Sequence, residues 1–321
     1  QGPDAGQFLD LLYTNMMSTL KPGRVRYGLM LREDGHVMDD GTCARLGPDH
    51  FLITTTTAAA GLVMRHMDFV HQAFCANLNV RFISATESWA QFAIAGPRAR
   101  AVLDSLCDLP DLPFMGCTDL RIGGVPGRIF RISFSGEKGY ELAVPTRYGA
   151  ALFDRLLDAA EAIGGCAYGM EALNVLRIEK GFITHAEIHG RVSADDVGMG
   201  RMVSAKKDCI GKAASQRPGF TEPGRAQLVG LVPCDLGDSL SAGAHLYKEG
   251  APATRENHQG YVTSVGPSPT LGHWLGLGFV VNGRARIGEV IRLDDGLRDK
   301  KVPVRITDPV FFDPEGGRMR G

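Results

Sequence analysis

No pair among the seven cysteines has the CxxC spacing of a zinc site or redox dithiol, and Cys43, Cys75, Cys107, Cys117, Cys166, Cys209 and Cys234 are odd in number and widely scattered. Reduced thiols in a cytoplasmic protein are the economical reading. No apolar run approaches the roughly 18 to 20 residues that cross a bilayer, and the first segment has no basic head followed by an apolar stretch. Neither a membrane partner nor export is expected. An excess of one charge is missing too, because 35 Lys and Arg against 36 Asp and Glu leave −1. Without a basic field, nucleic acid is not an expected partner. GxGxxG after a strand, GxxxxGK[ST] and GxSxG are all absent, which excludes a Rossmann loop, a P-loop and the usual serine-hydrolase elbow from these residues.

What is present describes a folded chain. At 321 residues, 44% hydrophobic and 22% charged, it has material for two or three domains. Its 41 glycines favour many turns and hence many short strands. The first residue is Gln1, ahead of Gly2-Pro3, and a piece of a longer polypeptide is expected from that start.

An internal echo organises the first two thirds. Gly2-Pro3-Asp4-Ala5 leading to Phe8-Leu9-Asp10-Leu11-Leu12 recurs as Gly96-Pro97-Arg98-Ala99 leading to Val102-Leu103-Asp104-Ser105-Leu106. In both copies Pro can occupy the first helical turn, with apolar residues following at helical spacing. Strand-like runs come next: 27–31 and 36–45 around the hairpin turn Asp34-Gly35, then 51–57, and in the second copy 128–134 and 140–144. Helices are expected over 58–73, 148–162 and 170–180, the last stopped by Gly181. Residues 216–224 read as a linker, and 228–312 show short strands between Gly, Pro and Asp turns. The expected fold is therefore α+β: two related α+β units over 1–90 and 91–215, then a small β-barrel or sandwich over 225–321.

Carboxylates in apolar patterns are the candidate functional groups. If Asp34-Gly35 closes a two-residue hairpin, Leu31 pairs with Met38, Leu29 with Asp40 and Tyr27 with Thr42, all on one sheet face. Asp40 then lies among apolar neighbours while Asp39 points the other way. Such a carboxylate is costly unless something binds it; a backbone donor or an exposed sheet end is the competing reading. Glu179 follows Ala172, Val175 and Leu176 on a core-facing helical stripe, with Arg177 and Lys180 as alternative ion-pair partners. Glu141 faces away from Tyr140 and Leu142, as a solvated strand glutamate would. His185 and His189 flank Glu187, but the glutamate is out of place for HExxH and no third ligand is apparent, so no metal is expected.

Several segments together are similar to those of a known family. They are the run from Arg26 to Thr42 (RYGLMLREDGHVMDDGT), Thr54 to Thr57, Ala95-Gly-Pro-Arg98, Phe134-Ser-Gly-Glu-Lys-Gly-Tyr-Glu-Leu142, Gly169-Met-Glu-Ala-Leu173, Arg177-Ile-Glu-Lys-Gly181, Asp208-Cys-Ile-Gly-Lys212 and Gln259 to Trp274. In this order they resemble the folate-dependent aminomethyltransferase (glycine cleavage T-protein) family, more closely its branch in the carboxy-terminal half of sarcosine oxidase alpha subunits. The resemblance implies a three-domain cloverleaf with tetrahydrofolate through its central opening. It implies Asp40 as the catalytic aspartate near folate N5 and N10, Tyr27 lining the pterin pocket, and Thr55, Thr56, Phe134, Glu141 and Glu179 at the folate. Flavin and NAD would belong to other domains or subunits of a sarcosine oxidase complex. The folate would capture carbon from the sarcosine-derived imine as 5,10-methylenetetrahydrofolate. Phe134 stands where many relatives have Tyr, Arg201 where an aromatic is common, and the family's usual opening strand and helix are missing before Gln1. Other readings are a subunit of a different flavin-linked N-methyl amine dehydrogenase, a free-standing folate-dependent methyltransferase or demethylase, and a non-catalytic folate-binding or structural module.

Overall fold

A computed structural model describes residues 1–321. Gly2-Pro3 leads into α1 (Ala5–Leu12), which buries Ala5, Phe8, Leu9 and Leu12 at helical spacing. Strands β1 (Arg24–Leu31), β2 (Val37–Gly47) and β3 (His50–Ile53) form an antiparallel sheet in chain order. Helix α2 (Ala60–Phe74) then packs Val63, Met67 and Val70 into the same core as Phe8, Leu12 and Tyr13.

The second unit repeats the order helix, three strands, helix. After β4 (Trp89–Ala95), Gly96-Pro97 leads into α3 (Ala99–Asp104), followed by β5 (Cys117–Ile122), β6 (Val125–Phe130), β7 (Gly139–Pro145) and α4 (Gly149–Glu161). Its sheet runs β4-β7-β6-β5, with β4 added at the edge beside β7. The short echo in the sequence therefore marks the start of two related units. Strand β6 ends at Phe130, short of the 128–134 run, with Ile132, Ser133 and Phe134 walling a cavity beyond it, and β3 likewise ends before the threonines.

Helix α5 (Met170–Glu179) ends before Gly181, which has φ +65° and whose absent Cβ would meet the Pro309 carbonyl at 2.5 Å. Only glycine satisfies both conditions. Six strands then close a barrel in the order β10-β11-β8-β13-β12-β9: β8 (Ala226–Pro233), β9 (His245–Lys248), β10 (His258–Ser268), β11 (His273–Val281), β12 (Val290–Asp295) and β13 (Lys300–Thr307). Val302, Val304 and Ile306 alternate inward along β13, and closure leaves no unpaired sheet edge.

The segment read as a linker is instead packed. It holds a short helical turn, Pro218–Thr221, just after another at Lys212–Ser215. Phe220 meets the His36 ring edge-on at 4.7 Å, and Arg217 Nη2 donates to the Asp34 carbonyl at 2.8 Å. Its Pro and Gly content marks turns but does not reveal these partners across the fold.

The parts join at two seams. Val25 N–H donates to the Met115 carbonyl at 2.8 Å and Cys117 N–H to the Gly23 carbonyl at 2.9 Å, stitching the two sheets together. A second core gathers Leu29, Leu31 and Val37 from the first sheet, Ile178 from α5, and Leu275, Leu277 and Phe279 from the barrel. The face carrying these first-sheet residues thus lies at the three-way junction. No helix is long and apolar enough to cross a membrane.

Candidate active site

The site begins at the β1–β2 hairpin, whose turn is one residue longer than expected. Arg32 N–H donates to the His36 carbonyl at 2.9 Å, enclosing three residues, with Gly35 at φ +95°. Leu31 therefore pairs with Val37, not Met38. A bulge between Met30 and Leu31 then absorbs Met38, and the ladder resumes with Met30 opposite Asp39, Leu29 opposite Asp40 and Tyr27 opposite Thr42. The longer turn and the bulge cancel. Asp40 keeps its place on the Tyr27–Leu29 face, whereas Met38 packs with the first-unit core.

Asp40 is half-buried, and its Oδ2 accepts the Tyr27 hydroxyl at 2.6 Å. Its Oδ1 is shielded from solvent and has no hydrogen-bond partner. Burial pushes this carboxyl up to about 6, opposed by the Tyr27 hydrogen bond and reinforced by the Asp39 and Glu187 carboxylates. Burial and Asp40 in turn push the Tyr27 hydroxyl upward. Met199 Sδ lies 3.8 Å from that hydroxyl.

Asp39, the residue pointing the other way, is the more deeply buried of the pair at 1% exposure. Its carboxylate accepts Thr56 Oγ1 at 2.7 Å and Thr56 N–H at 3.1 Å. Thr56 thus directs both donors at the protein, anchoring the threonine run to β2. Alternation indicated where Asp39 points but carried no sign of this clamp.

Thr42, two residues beyond Asp40 on the same face, leads to a cavity of 500 Å³ whose walls include Thr54, Thr55, Phe134, Glu141 and Tyr168. That volume suits a small organic ligand. Phe134 stacks with Phe182 at 5.9 Å between centroids and 17° between planes, offering a flat apolar wall. Glu141 is half-buried on this wall, not solvated as its strand position alone suggested; burial raises its pKa against a hydrogen bond from Gln91 Nε2. No Lys or Arg lines the cavity, so its chemistry favours a ligand edge rich in N–H donors over a phosphate.

Glu179 is 3% exposed, as its stripe predicted, and its Oε1 accepts Ser268 Oγ from the barrel at 2.6 Å. Neither proposed ion-pair partner reaches it: Lys180 pairs with Asp313 at 3.3 Å and Arg177 with Glu187 at 3.1 Å. Glu187 is the acid that sequence reasoning missed. It is fully buried and accepts five hydrogen bonds, from Arg177, Thr184 N–H, Thr184 Oγ1, Thr263 and Ser264. His189 turns away to Tyr261 at 2.7 Å, so the His-x-Glu-x-His spacing gathers no ligand set.

Family models match nearly the whole chain: the GCVT N-terminal domain over residues 1–207 and the glycine cleavage T-protein C-terminal barrel domain over 227–313. The chain is 48% identical over 99% of its length to the sarcosine oxidase subunit alpha of Rhizobium meliloti, covering 33% of that relative, and 39% identical to the one from Corynebacterium sp. strain P-1, covering 34%. It thus spans about a third of the length of these relatives. With the aminomethyltransferase of Streptomyces coelicolor it shares 30% identity over 97% of the chain and 82% of the relative. The crystal structure of the glycine cleavage system aminomethyltransferase T from Bartonella henselae has the same fold, with TM-score 0.81 and 24% identity over 98% of this chain and 83% of that one. From its first residues to the end of its barrel, the chain belongs to the glycine cleavage T-protein family of aminomethyltransferases.

Proposed function

We propose that this chain binds tetrahydrofolate against the Asp40 face and serves as the one-carbon acceptor part of a sarcosine oxidase alpha subunit, with flavin and NAD held by other domains or subunits. The observation that carries the reading is Asp40 Oδ1, a buried acceptor with no protein partner, on the sheet face whose next residue, Thr42, lines a cavity of ligand size. An unsatisfied buried carboxylate oxygen costs free energy that a ligand N–H would recover. Glu141 on the cavity wall, joined by Glu179 on the family resemblance alone, would supply further acceptors suited to the ring N–H and amino groups of a pterin, and Phe134 a surface for its flat ring.

Bound tetrahydrofolate would supply the amines that take up the carbon of the sarcosine-derived imine, whose bond to the original nitrogen breaks to release glycine, yielding 5,10-methylenetetrahydrofolate. The protein's own part is positional and electrostatic. With its pKa near 6, Asp40 can hold or release a proton at Oδ1 around neutral pH, and its ionised form stabilises positive charge developing nearby. Tyr27 fixes the carboxylate through Oδ2 and leaves Oδ1 without a protein partner, as an acceptor for the reacting group. Methylene-folate yield should accordingly rise as pH passes upward through about 6, where Asp40 ionises.

The test is Asp40→Asn in the intact protein, with methylene-folate yield measured separately from amine oxidation. Folate product should fall by about 100-fold or more, the scale of a lost general acid–base group, while amine oxidation continues and releases formaldehyde. Unchanged folate product would sink the assignment. The resemblance to sarcosine oxidase alpha subunits favours sarcosine as the carbon source over other N-methyl amines.

A further inference from the structure

Strands β4 and β7 place Ala93 directly opposite Glu141 and Gln91 opposite Ala143. Gln91 is therefore the diagonal neighbour of Glu141 on the cavity face, at a separation that a long side chain can span. The small Ala93 methyl leaves the space across which it reaches. Gln91 Nε2 donates to Glu141 Oε2, the only hydrogen bond that this carboxylate receives from the protein. On the other flank, β6 sets buried Phe130 opposite Glu141 and offers no donor. The other titratable side chains lining the cavity are Tyr140 and Tyr168, neither of which carries positive charge.

We infer that Gln91 is a positioning residue: its amide fixes the plane of the Glu141 carboxylate so that Oε1 and the remaining lone pair of Oε2 accept the N–H edge of a heteroaromatic ligand. The inference rests on the tetrahydrofolate reading and deepens it. Glu141 stands in a donor-poor setting where burial favours its neutral form, and a protonated carboxyl cannot accept two adjacent N–H groups through both oxygens. The Gln91 amide works against that loss twice, by restraining rotation and by favouring the ionised form. Gln91 itself is exposed, so its replacement removes little packing.

Anaerobic equilibrium titration of the intact protein with tetrahydrofolate between pH 5 and 8 tests the inference, comparing wild type, Gln91→Leu and Gln91→Glu. Leu should weaken Kd by about tenfold, the effect of losing one hydrogen bond to a charged group. As pH is lowered, its affinity should also begin to fall at a higher pH than in wild type, because the donor that favours ionised Glu141 is gone. Glu, which keeps the length but adds a like charge, should bind more weakly than Leu at pH 8 and recover part of its affinity as one carboxyl protonates. Thermal unfolding should be nearly unchanged in both variants. Wild-type binding with the same affinity and pH profile in Gln91→Leu would overturn the role of Gln91 alone. A pH-independent loss would overturn it too, by indicating a steric effect. No wild-type binding at any pH would instead overturn the folate reading and the inference with it.

Discussion

Glu187 and Asp40 are both carboxylates withdrawn from water near the three-way junction, yet their surroundings are opposite. Glu187 accepts five hydrogen bonds and faces an arginine. Asp40 has one side-chain donor, Tyr27, and an oxygen with none. The first arrangement compensates its own desolvation and ties the segment after α5 to β10. The second leaves the cost outstanding and is suited to a visiting group. Saturation of hydrogen bonds, more than depth of burial, separates the strut from the candidate catalyst.

Three substitutions would break or sharpen that contrast. Glu187→Ala leaves Arg177 buried without its counter-charge and should destabilise the protein by about 3–5 kcal/mol, read from denaturant midpoints; a loss under 1 kcal/mol would refute the strut. Asp40→Asn should act in the other direction. A carboxyl whose folded pKa of about 6 lies above its ordinary 3.8 binds more protons folded than unfolded, so wild-type stability is eroded as pH rises from about 4 to 6. The Asn variant lacks that erosion and should be more stable by about 1–2 kcal/mol at pH 7, the gain shrinking toward pH 4. Equal stability at both pH values would contradict it. The smallest effect belongs to Tyr27→Phe, which removes the hydrogen bond favouring ionised Asp40. It should cost about 1 kcal/mol and move the Asp40 titration, followed by carboxyl NMR, above 6; a downward move would contradict the assigned cause.

Local pattern carried much of this into the sequence. Strand alternation put Asp40 among apolar side chains, helical spacing placed Glu179 on a buried face, and two Gly-Pro openings marked related units. What pattern could not carry was anything depending on partners distant in the chain. The clamp of Thr56 on Asp39 spans 17 residues, and Glu187 finds Thr263 and Ser264 across 76 and 77. A two-residue turn was a reasonable reading of Asp34-Gly35, but Asp34 accepts both the Arg32 guanidinium and His36 N–H, and those contacts support a longer loop. The placement of Asp40 survived only because the bulge restored the register. Gln91 gave no local signal, since its meaning comes from a diagonal contact to Glu141 fifty residues away.

The second core also has a kinetic meaning. Its members come from the first sheet, α5 and the barrel, so it cannot close before contacts spanning some two hundred residues have formed. Such non-local closures are slow compared with formation of a single hairpin or helix. In a refolding chain, Asp40 should first titrate like any aspartate in water and acquire its raised pKa only as the fold closes over it and brings the Glu187 carboxylate near. The acidity of one carboxyl thereby reports on assembly of the first sheet with the segment after α5, readable before any ligand is added.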